Sequence, residues 1–488
     1  MRNACTGWNL APRFGSAAEF ASHEFDYIVI GGGTAGLVVA ARLSEDPGVS
    51  VGVVEAGQYL PDDPLIDTPR SAGSLQGNSK YDWMFETIPQ PNLNNRVLPI
   101  PRGKGLVDQA INFMAFDRAS KKDMTKYRPP PVYEKGGAIY WYRPIPHPTR
   151  VPQTAIYPSQ GRNGPIAASF NGKRKATGVS FVSNSTSYRA YARKEVILAA
   201  GAIQSPQILE LSDHPGISAS YELKPGSITF DALRNNATFA AQAQAQYAST
   251  HDGIYATAIS ILSFINLQTF ISKPKLDAMR KQLDREIAAS KPSRLQDRQF
   301  KIQKSWLDQK LGHVELIFNP AYYSSGVPKA NASYLGMLMV LQHPFSRGSV
   351  HINSSDPLAR PVYDPNYLSK SLDQDSLVEA LKFSKKISET EPMASLIAGR
   401  QDPAPDLVTD AQLLNYTKTF ARTVHHPIGT LVMADEKLGG VVGSDLKVYG
   451  TSNLRVVDAS IIPLHMGTHL SRTVYGIGEK AAALIKSE

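Results

Sequence analysis

Apolar runs punctuated by glycine set the frame of this chain. Tyr27 to Ile30 is a short run of the kind that becomes a buried parallel strand, and Gly31-Gly32-Gly33-Thr34-Ala35-Gly36 turns from it into a helix. Val51 to Val54 is a second such run. Ala176 to Val182 and Glu195 to Ala200 predict two more strands, the latter ending in a glycine turn at Gly201 and able to rejoin the first sheet. Tyr255 to Ile271, the most apolar long segment, is expected as a core helix, because Ser260, Ser263, Asn266, Gln268 and Thr269 make it too polar for a membrane span. Leu276, Met279, Leu283 and Ile287 recur at helical spacing among alternating charges, which predicts an amphipathic surface helix from Lys273 onward. Val350 to Ile352 reads as a strand, Asp373 to Thr390 as a helix, Leu454 to Val457 as a last buried strand and Val474 to Ile485 as a closing helix. Eight prolines between Tyr127 and Pro158 exclude a long helix or central strand there and mark a surface excursion. The chain shows no internal repeat.

The first strand, glycine turn and helix carry chemistry as a unit. Gly31 permits the tight turn, Gly33 lets the backbone approach a pyrophosphate on the helix N-terminus, and Gly36 lets the helix pack closely on the strand. Glu55 ends the second strand at the distance where an acid meets a ribose 2′-hydroxyl, which favours FAD or NAD over the phosphate of NADP. A bare glycine pattern is weak evidence, being as often an ordinary Gly-rich turn. Strand, loop, helix, strand and acid together predict a dinucleotide site.

At 488 residues and 42% hydrophobic content the chain can bury a large core and fill two or three domains. Its net charge of +9 does not make it a nucleic-acid binder, because Lys and Arg are interspersed with 43 acidic residues and form no dense block beside aromatics. A single cysteine, Cys5, excludes an internal disulfide and a cysteine-rich metal site. Met1 to His23 holds no continuous apolar segment and does not read as a secretory signal, so a cytoplasmic location is favoured. The sequons at Asn184, Asn236, Asn331, Asn353 and Asn415 keep secretion as the alternative.

Four of the eleven histidines, His425, His426, His465 and His469, flank the last strand. Their clustering suggests a site, with His425 and His465 expected to be structural. His465 and His469 have the spacing of metal ligands, but the intervening Gly467 and the lack of nearby acidic ligands argue against a metal. Asp458 reads as a helix cap.

His426-Pro427-Ile428-Gly429-Thr430 and the segment from Asp458 through His469 to Tyr475 resemble the C-terminal motifs of the glucose-methanol-choline (GMC) oxidoreductases, the FAD-dependent alcohol oxidases and dehydrogenases. The resemblance extends to Gly31 through Gly36, to Arg102-Gly103-Lys104 with Asn112, to the segments Gly201 to Leu209 and Pro344 to Val350, and to Asn453 through Ser460. These blocks stand in family order from Phe25 to Lys486. The resemblance implies an α/β fold: a Rossmann-type FAD-binding domain with an inserted α+β substrate-binding domain. The expected division is an N-terminal extension 1–24, FAD-binding parts 25–126, 171–213 and 436–488, the irregular excursion 127–170, and a substrate-binding domain 214–435.

It further implies FAD held by Gly31, Gly33, Thr34, Ala35, Gly36, Glu55, Asn112, Asp458 and Ala459, with the turn at Asp458 and Ala459 approaching the flavin. His426 and His469 match the pair that converges on the reactive flavin edge. One neutral histidine would take the proton of a substrate hydroxyl while the carbinol carbon passes a hydride to flavin N5, the partner orienting the oxygen. The resemblance does not decide which histidine is the base. The implied partner is a small-molecule alcohol, in keeping with a role in specialised metabolism, and the electron acceptor stays open.

Three departures from the family pattern bear on activity. Gly105-Leu106-Val107-Asp108-Gln109-Ala110 replaces the Gly-Gly-Ser-Ser run after Lys104, putting an acid where an anionic pyrophosphate is expected. Leu211-Ser212 jumps to Asp213-His214 without the expected Gly-Ile-Gly segment, and Ile166 to Phe170 passes straight to Asn171-Gly172-Lys173. The chain reads as internally shortened. Two further readings stand beside the oxidoreductase: a non-redox cyclase or isomerase on the same fold, and an inactive truncated relative.

Overall fold

A computed structural model describes residues 16–57, 60, 63–71, 73–104, 155–158, 175–183, 186–205, 208–257, 261–354 and 359–488. Cys5, the loop from Gly105 to Ala110, Asn112, the segment from Ile166 to Lys173, Asn184 and all but the end of the proline-rich stretch lie outside the described residues.

The glycine-punctuated runs pair as parallel neighbours. Strand β1 (Glu24–Ile30) lies between β2 (Val51–Val54) and β3 (Thr186–Leu198), in register from Tyr27↔Val51 to Ile30↔Val54 on one side and up to Ile30↔Leu198 on the other. The strand Leu454–Val456 adds to the end of β3, also in parallel. The first half of β3 pairs antiparallel with Ala176–Ser183, and Ala155–Pro158 forms that edge, a position that tolerates a proline. Near-continuous burial of β1 follows from having both faces covered. On one face helix α1 (Thr34–Leu43) packs against the final helix Ser471–Lys486, with Gly478 allowing the approach: a Cβ there would meet Val38 at 2.8 Å and the Ala35 carbonyl at 2.9 Å. Val29, Val39, Ala40, Ile197, Val456, Ala481 and Ile485 form the core between them.

A second, antiparallel sheet follows. Its order runs from Ile261–Ile265 through β5 (Val314–Asn319), β6 (Tyr334–Leu341) and β4 (Pro215–Leu223) to Ile397–Asp402, with Arg422–Thr423 pairing the start of β4. The helices Lys273–Ser290 and Ser371–Ser388 supply Leu276, Met279, Leu283, Leu372, Leu377 and Leu381 to its core.

The expected core helix over Tyr255 to Ile271 is not formed. Ile261–Ile265 is an edge strand between single helical turns, pairing Ile261↔Phe318 through Ile265↔Val314, with Leu262 and Phe264 exposed. β-Branched isoleucines at both ends favour a pleated surface, and an edge strand in contact on one side tolerates the polar residues that a buried helix would not. Among the described residues no helix is long and apolar enough to cross a membrane.

Candidate active site

The nucleotide end is built where the parallel strands terminate. Gly31 adopts φ +103°, and a Cβ there would sit 2.3 Å from the Ala199 carbonyl at the end of β3. A Cβ on Gly36 would lie 2.0 Å from the Gly31 carbonyl, so the strand-to-helix turn closes only with glycine at both positions. Gly33 is different. It is the N-cap of α1, offers no side-chain cap, and a Cβ on it would have no atom of the described residues within 4 Å. The helix therefore presents its positive end to an open side, flanked by Thr34 and Ala35, which turn their side chains into the core. Glu55 accepts from the backbone N–H of Gly32 at 2.7 Å and of Gly57 at 2.6 Å, which fixes the carboxylate beside the turn. A pyrophosphate over the helix end and a ribose at Glu55 fit these residues.

Asp458 joins two turns at the same end of the sheet. One carboxylate oxygen accepts from Gly201 N–H at 2.9 Å and the Ser205 hydroxyl at 2.6 Å, and the other from Ser460 N–H at 2.8 Å, capping the short helix Ala459–Ile461. The cap expected from sequence is present. Ala459 opens that short helix half-buried. Asn112 lies outside the described residues.

The histidine end forms where the second sheet meets the last strand. Segments 212–216 and 422–428 run antiparallel: Ser212 and Ile428 exchange backbone bonds, Val424 N–H donates to the His214 carbonyl at 3.1 Å, and Thr423 pairs with Pro215. This register puts His214 beside His426, with Nδ1 to Nδ1 at 3.0 Å. Asp213 braces the pair from beneath. It accepts from the backbone N–H of His214 at 2.8 Å and of His426 at 2.9 Å, and from the hydroxyls of Thr423 at 2.7 Å and of Tyr367. His425 takes φ +68°, a left-handed conformation uncommon outside glycine, and Arg102 holds its carbonyl at 2.7 Å. That turn aims His426 inward.

His426 and His469 meet as the resemblance implies, their rings T-shaped at 5.1 Å. His469 Nε2 lies 2.8 Å from the Glu315 carboxylate, which is wholly buried on β5 and takes a second bond from the Gln342 side chain at 2.9 Å. The ring of His465 lies on that of His214 at 3.8 Å, and its carbonyl meets His343 Nδ1 at 2.9 Å. His313 extends the cluster at 5.7 Å from the His343 ring. Burial pushes His426 and His465 well below the usual imidazole range and His214, His313 and His425 down to about 3, with neighbouring imidazoles or arginines adding to the effect. These rings are neutral at physiological pH.

Sequence reasoning named His426 and His469, which the fold brings together, but not their partners His214 and Glu315, nor Gln342, which bonds both of those. His214 stands where the sequence registers a missing segment, so nothing drew attention to it. Glu315 carried a readable signal: one acid inside the apolar run Val314-Glu315-Leu316-Ile317-Phe318. Gln342 acts partly through its backbone carbonyl, which no side-chain pattern reports.

Models of the GMC oxidoreductase family match residues 166–219 and 344–478. A dehydrogenase of Armillaria gallica is 30% identical, the match covering 96% of this chain and 94% of the relative. That match runs over 602 positions against a chain of 488 residues, so the relative carries internal segments that this chain lacks. An alcohol dehydrogenase [acceptor] of Pseudomonas putida is 26% identical over 94% of this chain and 95% of its own length. The solved structure of an FAD-dependent oxidoreductase from Chaetomium thermophilum shares the fold, with a TM-score of 0.75 at 22% identity, covering 95% of this chain and 99% of that one.

Proposed function

The chain belongs to the GMC oxidoreductases, a family of flavoproteins, and from that premise we propose that it binds FAD and oxidises the CH–OH group of a small-molecule alcohol to a carbonyl. The observation that carries this reading is the pair His426 and His469, whose rings stand 5.1 Å apart, each backed by its own buried partner. Bound FAD supplies the acceptor for the hydride lost from the carbinol carbon. The protein's own part is to bind, orient and deprotonate the alcohol. The N-terminus of α1 and Glu55 would hold the pyrophosphate and ribose, and the turn at Asp458 and Ala459, fixed by Gly201 and Ser460, would shape the flavin end. A hydroxyl placed between the two imidazoles gives its proton to one ring and keeps its oxygen aligned by the other. The neutral, desolvated imidazole of His426 suits the proton-taking task, since it has one lone pair and one N–H. The relative named as an alcohol dehydrogenase supports the substrate class.

The test is a visible spectrum of the purified protein followed by anaerobic addition of a panel of alcohols. The expected result is a flavin spectrum bleached by one class of alcohol. His426→Ala should keep the flavin and lower the bleaching rate by about 10²-fold or more, the usual contribution of a positioned general base. A flavin that no alcohol reduces, or an unchanged rate in His426→Ala, would remove the reading.

A further inference from the structure

His214 is buried, meets His426 at its Nδ1, and has no step of its own in the mechanism above. Its hydrogen bonds nonetheless dictate the protonation of His426. His214 Nε2 lies 2.9 Å from the Gln342 carbonyl oxygen. A carbonyl can only accept, so the proton of His214 is on Nε2. Burial keeps His214 neutral, with a pKa lowered to about 3, so that proton is its only one and Nδ1 holds a lone pair. His214 Nδ1 meets His426 Nδ1 at 3.0 Å, and two lone pairs would repel at that distance. The proton between them therefore belongs to His426 Nδ1. His426 is itself neutral in its desolvated site, which leaves its Nε2 bare.

We propose that His214 is a positioning residue that locks His426 in the Nδ1–H tautomer and so makes Nε2 its proton-accepting atom. The proposal deepens the reading of His426 as the base and rests on it for its catalytic meaning. In the step concerned, the substrate O–H bond breaks, its proton joins His426 Nε2, and the imidazolium so formed keeps its Nδ1–H directed at the His214 lone pair. The opposite tautomer would present an N–H to the hydroxyl and could not take its proton. The same wiring separates the two site histidines. His469 commits its Nε2 to the Glu315 carboxylate, whereas His426 commits Nδ1 and keeps Nε2 for the reaction. Gln342 serves both, its carbonyl fixing His214 and its side chain holding Glu315.

The experiment uses the full chain, as purified, with 15N-labelled histidine, and assigns the His426 resonances by comparison with His426→Gln. The expected spectrum shows a pyrrole-type Nδ1 and a pyridine-type Nε2 for His426. This needs no His214 variant to fold, and a protonated Nε2 in the native chain would overturn the proposal. His214→Leu removes the acceptor and should populate the Nε2–H form, lowering kcat for alcohol-dependent flavin reduction about tenfold to a hundredfold with KM within about twofold. His214→Asn, whose amide oxygen can accept from His426 Nδ1–H, should restore the native tautomer and most of the rate. A rate loss in His214→Leu with the native tautomer intact would show a purely structural role and also overturn it. If His426→Gln reduced its flavin as fast as the native chain, the base reading would fall; the native tautomer would still be supported by its own spectrum.

Discussion

Three glycines within six residues do separate things, and substitution distinguishes them. Gly31 and Gly36 are internal closures: side chains there would drive into the Ala199 and Gly31 carbonyls at 2.3 and 2.0 Å. Among the described residues nothing lies within 4 Å of a Cβ on Gly33. Gly31→Ala should therefore destabilise the fold itself, by about 1–3 kcal/mol from the left-handed conformation, with more from the carbonyl clash. Gly33→Val should leave the thermal midpoint of the apoprotein within a degree or two and still abolish flavin uptake, because the added methyls fill the place of the pyrophosphate. A Gly33→Val protein that retained a full complement of FAD would put the nucleotide elsewhere. The turn-closing roles of Gly31 and Gly36 were legible because each has a neighbour fixed by sequence distance, the strand before and the helix after. Asp458 was legible only in part. Its cap to Ser460 N–H is local, but its bonds to Gly201 and Ser205 span more than 250 residues, and no local pattern encodes them.

Elements with a strong period or a glycine boundary were read correctly: β1, β2, the end of β3, the helices from Lys273 and near Asp373, the last strand and the last helix. The failure at Tyr255 to Ile271 has a physical cause. Its apolar residues follow no clean period, and what decides between strand and helix is the open edge of β5, a partner about fifty residues away. The same dependence on distant partners hid His214, brought to His426 by pairing of segments 212 residues apart. One polar side chain shows how such distant elements are joined. Asn453, just before the last strand, donates to the carbonyls of Ala176 and Lys194 at 2.8 Å each and accepts from Ala176 N–H at 2.7 Å, fastening three strands together. Asn453→Ala would leave those buried backbone groups unpaired at about 1–3 kcal/mol each, so a loss of roughly 3 kcal/mol or more is expected in urea denaturation. Because the clamp is remote from the histidines, flavin reduction per folded molecule should not change. A denaturation midpoint equal to that of the native chain would mean that water replaces the clamp.

At the scale of the whole molecule, the histidine cluster makes folding itself sensitive to acid. His214, His313 and His425 have folded pKa values of about 3, and His343, His426 and His465 are also lowered by burial, against about 6.5 in an unfolded chain. Between those values the unfolded chain binds protons that the folded one refuses, so stability rises with pH and is lost as pH falls from about 6.5 toward 3. Each such histidine contributes a slope of at most about 1.4 kcal/mol per pH unit. Asp213 and Asp373 oppose the trend: burial raises their carboxyls, so the folded state binds protons there more readily than the unfolded chain. The net slope is therefore smaller than the histidines alone would give. Even two uncompensated histidines would remove about 3 kcal/mol over one pH unit, a large share of the roughly 5–15 kcal/mol that holds a typical domain. Urea denaturation across pH 7.5 to about 5 should show a plateau near neutrality and then a falling free energy, with a slope at the acid end of more than one proton taken up on unfolding. A flat line through this range would mean that the rings protonate inside the folded protein. In that case the cluster would not be the desolvated, neutral set on which both the proposed proton-accepting role of His426 and its proposed control by His214 depend.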